Sequence, residues 1–239
     1  LYNCFAGNPI WHSDILGDVP GDKKLRPNES PGVEHTGSHV VNSTPINYGS
    51  PYGTKLSLTT DGYVSNKFVT VHKIPNLEKG KLAGVNGVIL HRTVSSNSQS
   101  TLTSFENTGV GTHFLVGKEG TIFQTASLNK KTSHLRESQL VSWSPKNNSA
   151  IGIEVVGMFD AATKIWDPLT PAQTQSTAFL TNSLLKTYNL EKGNIYNHED
   201  VQPKTAGEGR TVMNSIKKYL LEPSNPTPSP SQADDLHSK

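Results

Sequence analysis

Apolar residues between positions 84 and 222 fall in short runs with regular punctuation. Residues 85–91 (VNGVILH) form a brief apolar run that ends on His91, as a short buried strand would. Residues 112–116 (THFLV) and 121–124 (TIFQ) flank Lys118-Glu119-Gly120, which reads as strand, turn, strand. Residues 150–156 (AIGIEVV) form another buried-strand run, interrupted by one acid, Glu154. Residues 98–107 suit a short helix. A longer one opens at Leu169-Thr170-Pro171-Ala172-Gln173, with Thr170 as cap and Pro171 in the first turn. Phe179, Leu180, Leu184 and Leu185 carry it to about Tyr188. A last helix is predicted over 211–221, with Val212, Ile216, Tyr219 and Leu220 on one face. Strands and helices interleaved in this way predict an α/β domain.

The two ends read differently. Residues 1–80 are rich in Gly, Pro, Asn and Ser and show little helical periodicity. Within them, 55–64 alternates and meets the turn signal Asp61-Gly62, and 67–72 (KFVTVH) follows as a second strand. That predicts a β-hairpin or a small barrel-like unit, while 32–39 (GVEHTGSH) reads as loop. Residues 223–239 are Pro- and Ser-rich with almost no apolar content, as expected of a disordered tail or linker, so His237 is set aside. The expected organisation is a loop- and β-rich extension over 1–80, used for docking or substrate contact, then a catalytic domain over 81–222 and the tail. No internal repeat is visible.

Composition narrows the chemistry. A third of the 239 residues are hydrophobic, enough for a packed core. A net charge of +2 is too small for a dedicated nucleic-acid binder, whose phosphate contacts need a basic stripe. The single cysteine, Cys4, rules out an internal disulfide and a four-thiolate zinc site, and reads as a small buried or incidental residue. A metal would therefore rest on His and carboxylate ligands. No apolar run reaches the ~18 residues a membrane span needs. The chain does not begin with Met, so a targeting segment is not readable from it.

Polar residues interrupt the apolar runs at three places. His91 ends a strand, where ligands gather in open sheets; a satisfied core or surface histidine fits as well. Glu154 lies in a run otherwise fit for burial. Either it is buried and its pKa rises toward that of a general base, or it faces water on an edge strand. In YNHEDVQPKTAGEGR (196–210), His198 is followed by Lys204 six residues on and Glu208 ten residues on. A zinc-binding imidazole with a lysine for an oxyanion is one reading, and a solvated loop is the other.

Taken in order, the strand-end His91, GTHFLVGKEGTI (111–122), NSAIGIE (148–154), LTPAQ (169–173) and NHEDV (197–201) with Lys204 resemble one family. It is the zinc-dependent N-acetylmuramoyl-L-alanine amidases of the type 2 class, which share a fold with peptidoglycan recognition proteins. The resemblance covers about residues 84–221. It implies a central mixed β-sheet flanked by helices, with Zn2+ in a groove on one side. His91 and His198 match the first two zinc ligands, Glu154 the catalytic acid/base and Lys204 the transition-state lysine. Thr112 stands where some members carry a tyrosine, which favours the Glu154 route. Members with this lysine spacing place a Cys third ligand where this chain has Ala206. Others place an Asp where it has Glu208. The implied set is therefore His91, His198 and Glu208, with the glycines around Glu208 letting the backbone bend, and with His113 as the substitute.

The implied activity is hydrolysis of the amide between N-acetylmuramic acid and L-alanine in peptidoglycan. The setting is periplasmic or secreted, of bacterial or phage origin, and fits an antibacterial effector with a secretion-system component or an immunity protein as partner. The alternative is a module that binds peptidoglycan without cutting it. Trp143, Trp166 and His134 are candidate substrate contacts.

Overall fold

Residues 50–220 are described by the computed structural model; Cys4, the loop at 32–39 and the tail from 223 lie outside them. The strands, in chain order, are β1 (Val69–Val71), β2 (Gly87–Arg92), β3 (Phe114–Val116), β4 (Ile122–Gln124), β5 (Ala150–Val155), β6 (Phe159–Asp160), β7 (Ile165–Trp166) and β8 (Ile195–Asn197). The helices are α1 (Ser98–Thr108), α2 (Pro171–Tyr188), the short α3 (His198–Val201) and α4 (Glu208–Ile216). Six strands make one sheet in the order β1-β4-β3-β5-β2-β8, and β6 and β7 make a separate ribbon. Strands β3, β5, β2 and β8 run parallel, and β4 runs antiparallel to β3. This is the expected mixed sheet with flanking helices.

The sequence punctuation explains the helices. Asn97 caps α1 by accepting the Ser100 N–H at 2.9 Å, and Gly109 ends it with φ 64°. Thr170 and Gln173 cap α2 reciprocally, and Pro171 opens it because its missing N–H has no partner to lose there. On one face of the sheet, Val88, Leu90, Ile151 and Ile153 pack with Phe179, Leu180 and Leu184 of α2 and with Val212 and Ile216 of α4. On the other, Leu115 packs with Leu102 and Phe105 of α1, and Ile89 with Leu135 and Val201. The period-two alternation of strands thus sends His91 and Glu154 to this second face. No helix among the described residues is long and apolar enough to cross a membrane.

Two expectations need correction. The run at 67–72 does not pair back onto 55–64. Its middle becomes β1, the sheet's edge strand, parallel to β4. Around the Asp61-Gly62 turn only a single bridge forms, Leu58 to Val64. Burial decides the matter: Leu56, Val64 and Val69 enter the main core, and Phe68 meets Phe179 edge-on at 5.5 Å. Residues 50–80, read from sequence as part of an extension, therefore share their sheet and core with the rest. The last helix begins at Glu208 rather than at 211. It ends at Ile216, and Tyr219 falls on a 3-10 turn.

Leu77 is fully buried against Ile74, Leu102 and Phe105. Leu77→Ala should cost about 2–5 kcal/mol, read as a lower midpoint for the main unfolding transition of the full chain. A transition that stayed in place would show the 50–80 segment to be an independent appendage.

Candidate metal centre

Parallel strands β2, β5 and β8 end together, and side chains from two of these ends meet a helix start. His91 is the penultimate residue of β2, His198 opens α3 directly after β8, and Glu208 opens α4. One donor atom from each lies within 4.8 Å of the others. His198 Nδ1 is 2.5 Å from Glu208 Oε1, His91 Nδ1 is 3.9 Å from the same oxygen, and the two rings lie 4.0 Å apart. All three side chains are buried. His91 Nδ1 and Glu208 Oε2 are buried without a hydrogen-bond partner, a costly condition that a cation would relieve. Two imidazoles and one carboxylate fit the donor set of a zinc site that keeps a fourth position for water or substrate.

The local sequence delivers Glu208 to this point. Gly207 adopts a left-handed φ of 83° at the cap of α4, a conformation open to glycine at little cost. Gly209 lets α4 come close: a Cβ there would lie 2.5 Å from the Leu90 carbonyl oxygen and 2.7 Å from the His198 nitrogen. Glu199 takes up the helix start, accepting the Gly209 N–H at 2.6 Å and the Arg210 N–H at 3.0 Å, while Asp200 pairs with Arg210. The acids beside His198 thus anchor α4. Ala206 offers no side-chain ligand, but its carbonyl accepts the Trp166 indole N–H at 3.1 Å. Trp166 packs against Phe159 and carries the Arg92 guanidinium 5.5 Å from its ring centroid.

Glu154 is wholly buried on central strand β5, in register with His91, which removes the edge-strand reading. Lys204 is half-buried, and its charge lowers the pKa of both His91 and Glu208. Burial is the larger influence on each. It holds His91 well below the ordinary histidine value and pushes the Glu208 carboxyl up to about 7.

The remaining candidates separate cleanly. His113 has both nitrogens committed to backbone: Nε2 donates to the Lys130 carbonyl at 2.9 Å, and Nδ1 accepts the Gly152 N–H at 3.2 Å. It has no nitrogen left for a metal, so the substitute ligand is excluded by geometry. Thr112 is buried and donates to the Phe114 carbonyl. His134 is buried behind His91 rather than open to a groove, with Nδ1 3.1 Å from His91 Nε2. Trp166 is 6% exposed and belongs to the core, whereas Trp143 is 59% exposed and leans on Tyr196 at 6.0 Å. Sequence reasoning missed Glu199 and the Trp166–Ala206 bond. The two contacts span ten and forty residues, and no local pattern in the sequence carried either.

The profile of the family described as N-acetylmuramoyl-L-alanine amidase matches residues 81–211. Over 96 residues, 40% of this chain, the sequence is 33% identical to the 1,6-anhydro-N-acetylmuramyl-L-alanine amidase AmpD of Haemophilus influenzae. That match spans about half, 49%, of the curated relative's length. Among solved structures, a selenomethionine derivative of AmpD superposes with a TM-score of 0.52 at 18% identity, covering 69% of this chain and 100% of that one. At that identity the likeness is one of fold.

Burial holds the pKa values of His91, His113 and His134 below the ordinary histidine value, His113 at about 4. Each binds a proton more readily when unfolded, so its stabilisation is complete above pH 6.5 and is lost as pH falls through the folded value. Glu208 acts oppositely, losing its stabilisation as pH rises from 4.5 to about 7. With three groups against one, the metal-free protein is expected to melt lower at pH 5 than at pH 7. Glu208→Gln should steepen that dependence, as thermal unfolding in chelator would show.

Proposed function

This chain belongs to the N-acetylmuramoyl-L-alanine amidase family, and from that premise we propose that it hydrolyses the amide joining N-acetylmuramic acid to the L-alanine of the stem peptide, with zinc as cofactor. The observation that carries the proposal is the convergence of His91, His198 and Glu208 on one point, with Glu154 in register beside His91. A zinc ion held by those three would supply Lewis acidity toward the carbonyl and lower the pKa of a water toward ~7. The chain's own groups supply the rest. Glu154 takes the proton from the attacking water as the new C–O bond forms, then passes it to the nitrogen as the C–N bond breaks. Products are the lactyl carboxylic acid and a peptide with a free L-alanine amine. Lys204, whose charge reaches both His91 and Glu208, faces the oxygen that gains negative charge.

That substrate supports a periplasmic or extracellular setting, and an antibacterial effector with a delivery component or an immunity protein as partner fits it. The rival, a module that binds the polymer without cutting it, drew on Ala206 in place of a ligating side chain. Glu208 takes up that role from the next helix, so the catalytic reading is preferred.

Digestion of purified peptidoglycan should release stem peptides beginning at L-alanine, lost with chelator and restored by zinc, as read by mass spectrometry. Sedimentation with the polymer without release would favour the binding module. Glu154→Gln should lower turnover by roughly 10²–10⁴-fold and Lys204→Ala by about 10²–10³-fold, with zinc content unchanged. A variant that keeps the wild-type rate would remove its residue from the mechanism.

A further inference from the structure

His91 can offer Nδ1 to a metal only if its ring proton sits on Nε2. Something must hold the proton there, because a free imidazole exchanges it between the two nitrogens. In this structure His91 Nε2 lies 3.1 Å from Nδ1 of His134, so a single proton is shared between two rings. We infer that His134 is a positioning residue: its Nδ1 accepts the His91 Nε2–H, fixes the His91 tautomer and aims His91 Nδ1 at the metal. This rests on the zinc reading proposed above.

The ligand role of His91 sets the direction of the bond. In the reverse arrangement His134 would donate, and the His91 proton would move to Nδ1 and point at the ligand centre. His134 Nε2 would then turn a lone pair toward its surroundings. His134 Nε2 is buried and makes no hydrogen bond among the described residues, so the direction is set at His91, whose Nδ1 must keep its lone pair free for a cation. The proton of His134 therefore belongs on Nε2, and Nδ1 is left as the acceptor.

The fold spends several contacts on holding this ring. Asn147 Oδ1 accepts the backbone N–H groups of His134 and Leu135 at 3.1 and 2.9 Å, and its amide donates to the Leu135 carbonyl at 2.8 Å. Gly152 on β5 clears the space: a Cβ there would lie 2.9 Å from His134 Nδ1 and 3.0 Å from its Cγ. The ring stands edge-on to His91 and to His113, with centroids 5.2 and 5.9 Å away. Metal-ligating histidines usually lean on a carboxylate, a carbonyl or a water. A neutral imidazole orients the ligand as firmly but draws less on its proton. His91 then donates less charge to a metal, which is left more electrophilic.

Long-range 1H–15N correlation spectra of the metal-free protein should show both His91 and His134 protonated at Nε2. A proton on Nδ1 of either ring would overturn the inference, whether or not zinc binds. Zinc affinity, measured by competition with a chromophoric chelator, should fall roughly 10–100-fold in His134→Leu. His134→Asn, which keeps an acceptor at the Nδ1 position, should recover most of it; this rescue separates positioning from packing. Equal affinity in wild type and His134→Leu would also overturn the inference. Absence of zinc binding by the wild type would instead count against the metal reading, with the tautomers still deciding the role of His134.

Discussion

Burying Glu208 beside two imidazoles is the constraint on which the rest of this structure turns. Removing a carboxylate from water costs several kcal/mol unless opposite charge or hydrogen bonds offset it. The response within the fold is visible in the Glu208 carboxyl, raised to about 7 by burial and eased only in part by Lys204. A divalent cation held by His91, His198 and the Glu208 carboxylate would reverse that balance. The same geometry that is unfavourable for a bare carboxylate would then favour binding, and metal affinity would become folding free energy.

A group held against such a cost must be fixed from several directions. Glu199 caps α4 from one side. Close packing through Gly209 sets the helix against β2 and β8. On the face of the sheet opposite His91 and Glu154, the face that α4 also packs on, Arg92 and Lys118 both pair with Asp167, and Arg92 also donates to the Asp167 carbonyl at 3.0 Å. That cluster ties the β6–β7 ribbon to the end of β2, and a Cβ on Gly157 would overlap the Arg92 guanidinium. Trp166 rides on Arg92 and grips the Ala206 carbonyl, just before the turn that launches Glu208. The position lacking a ligating side chain thus acts through its backbone. The network on one face of the sheet steadies the loop that completes the site on the other.

Much of this was legible in the sequence because it is local. Thr170-Pro171 and Gln173 announced α2, and the apolar runs at 88–90 and 150–156 announced two central strands. The order of His91, Glu154, His198 and Lys204 along the chain carried the resemblance. What the sequence did not carry is non-local. The parallel pairing of β1 with β4 joins residues about fifty positions apart, so the Asp61-Gly62 turn suggested a hairpin that tertiary burial overrode. His113 and His134 look alike as histidines beside apolar residues. They differ in what their ring nitrogens touch, backbone for one and His91 for the other, and no periodicity encodes that. The start of α4 at Glu208 depended on Glu199, a cap contributed from outside the helix.

The charge balance of the proposed site gives a reason for the neutral partner behind His91. Glu154 and Glu208 bring two negative charges into a buried space, and a divalent cation with Lys204 brings three positive ones. The remaining positive charge suits a reaction in which an amide oxygen becomes an oxyanion, since fixed charge acts strongly where water is excluded. An aspartate in place of His134 would cancel that surplus. It would also face the desolvation cost that already weighs on Glu208, in a spot where His134 itself is buried to within a few percent. An imidazole accepts the same hydrogen bond without adding charge. Orientation of the first ligand and electrophilicity of the centre therefore need not be traded against each other, provided the second histidine stays neutral. Its burial and the charges of His113 and His198 keep its pKa well below the ordinary value and hold it in that state.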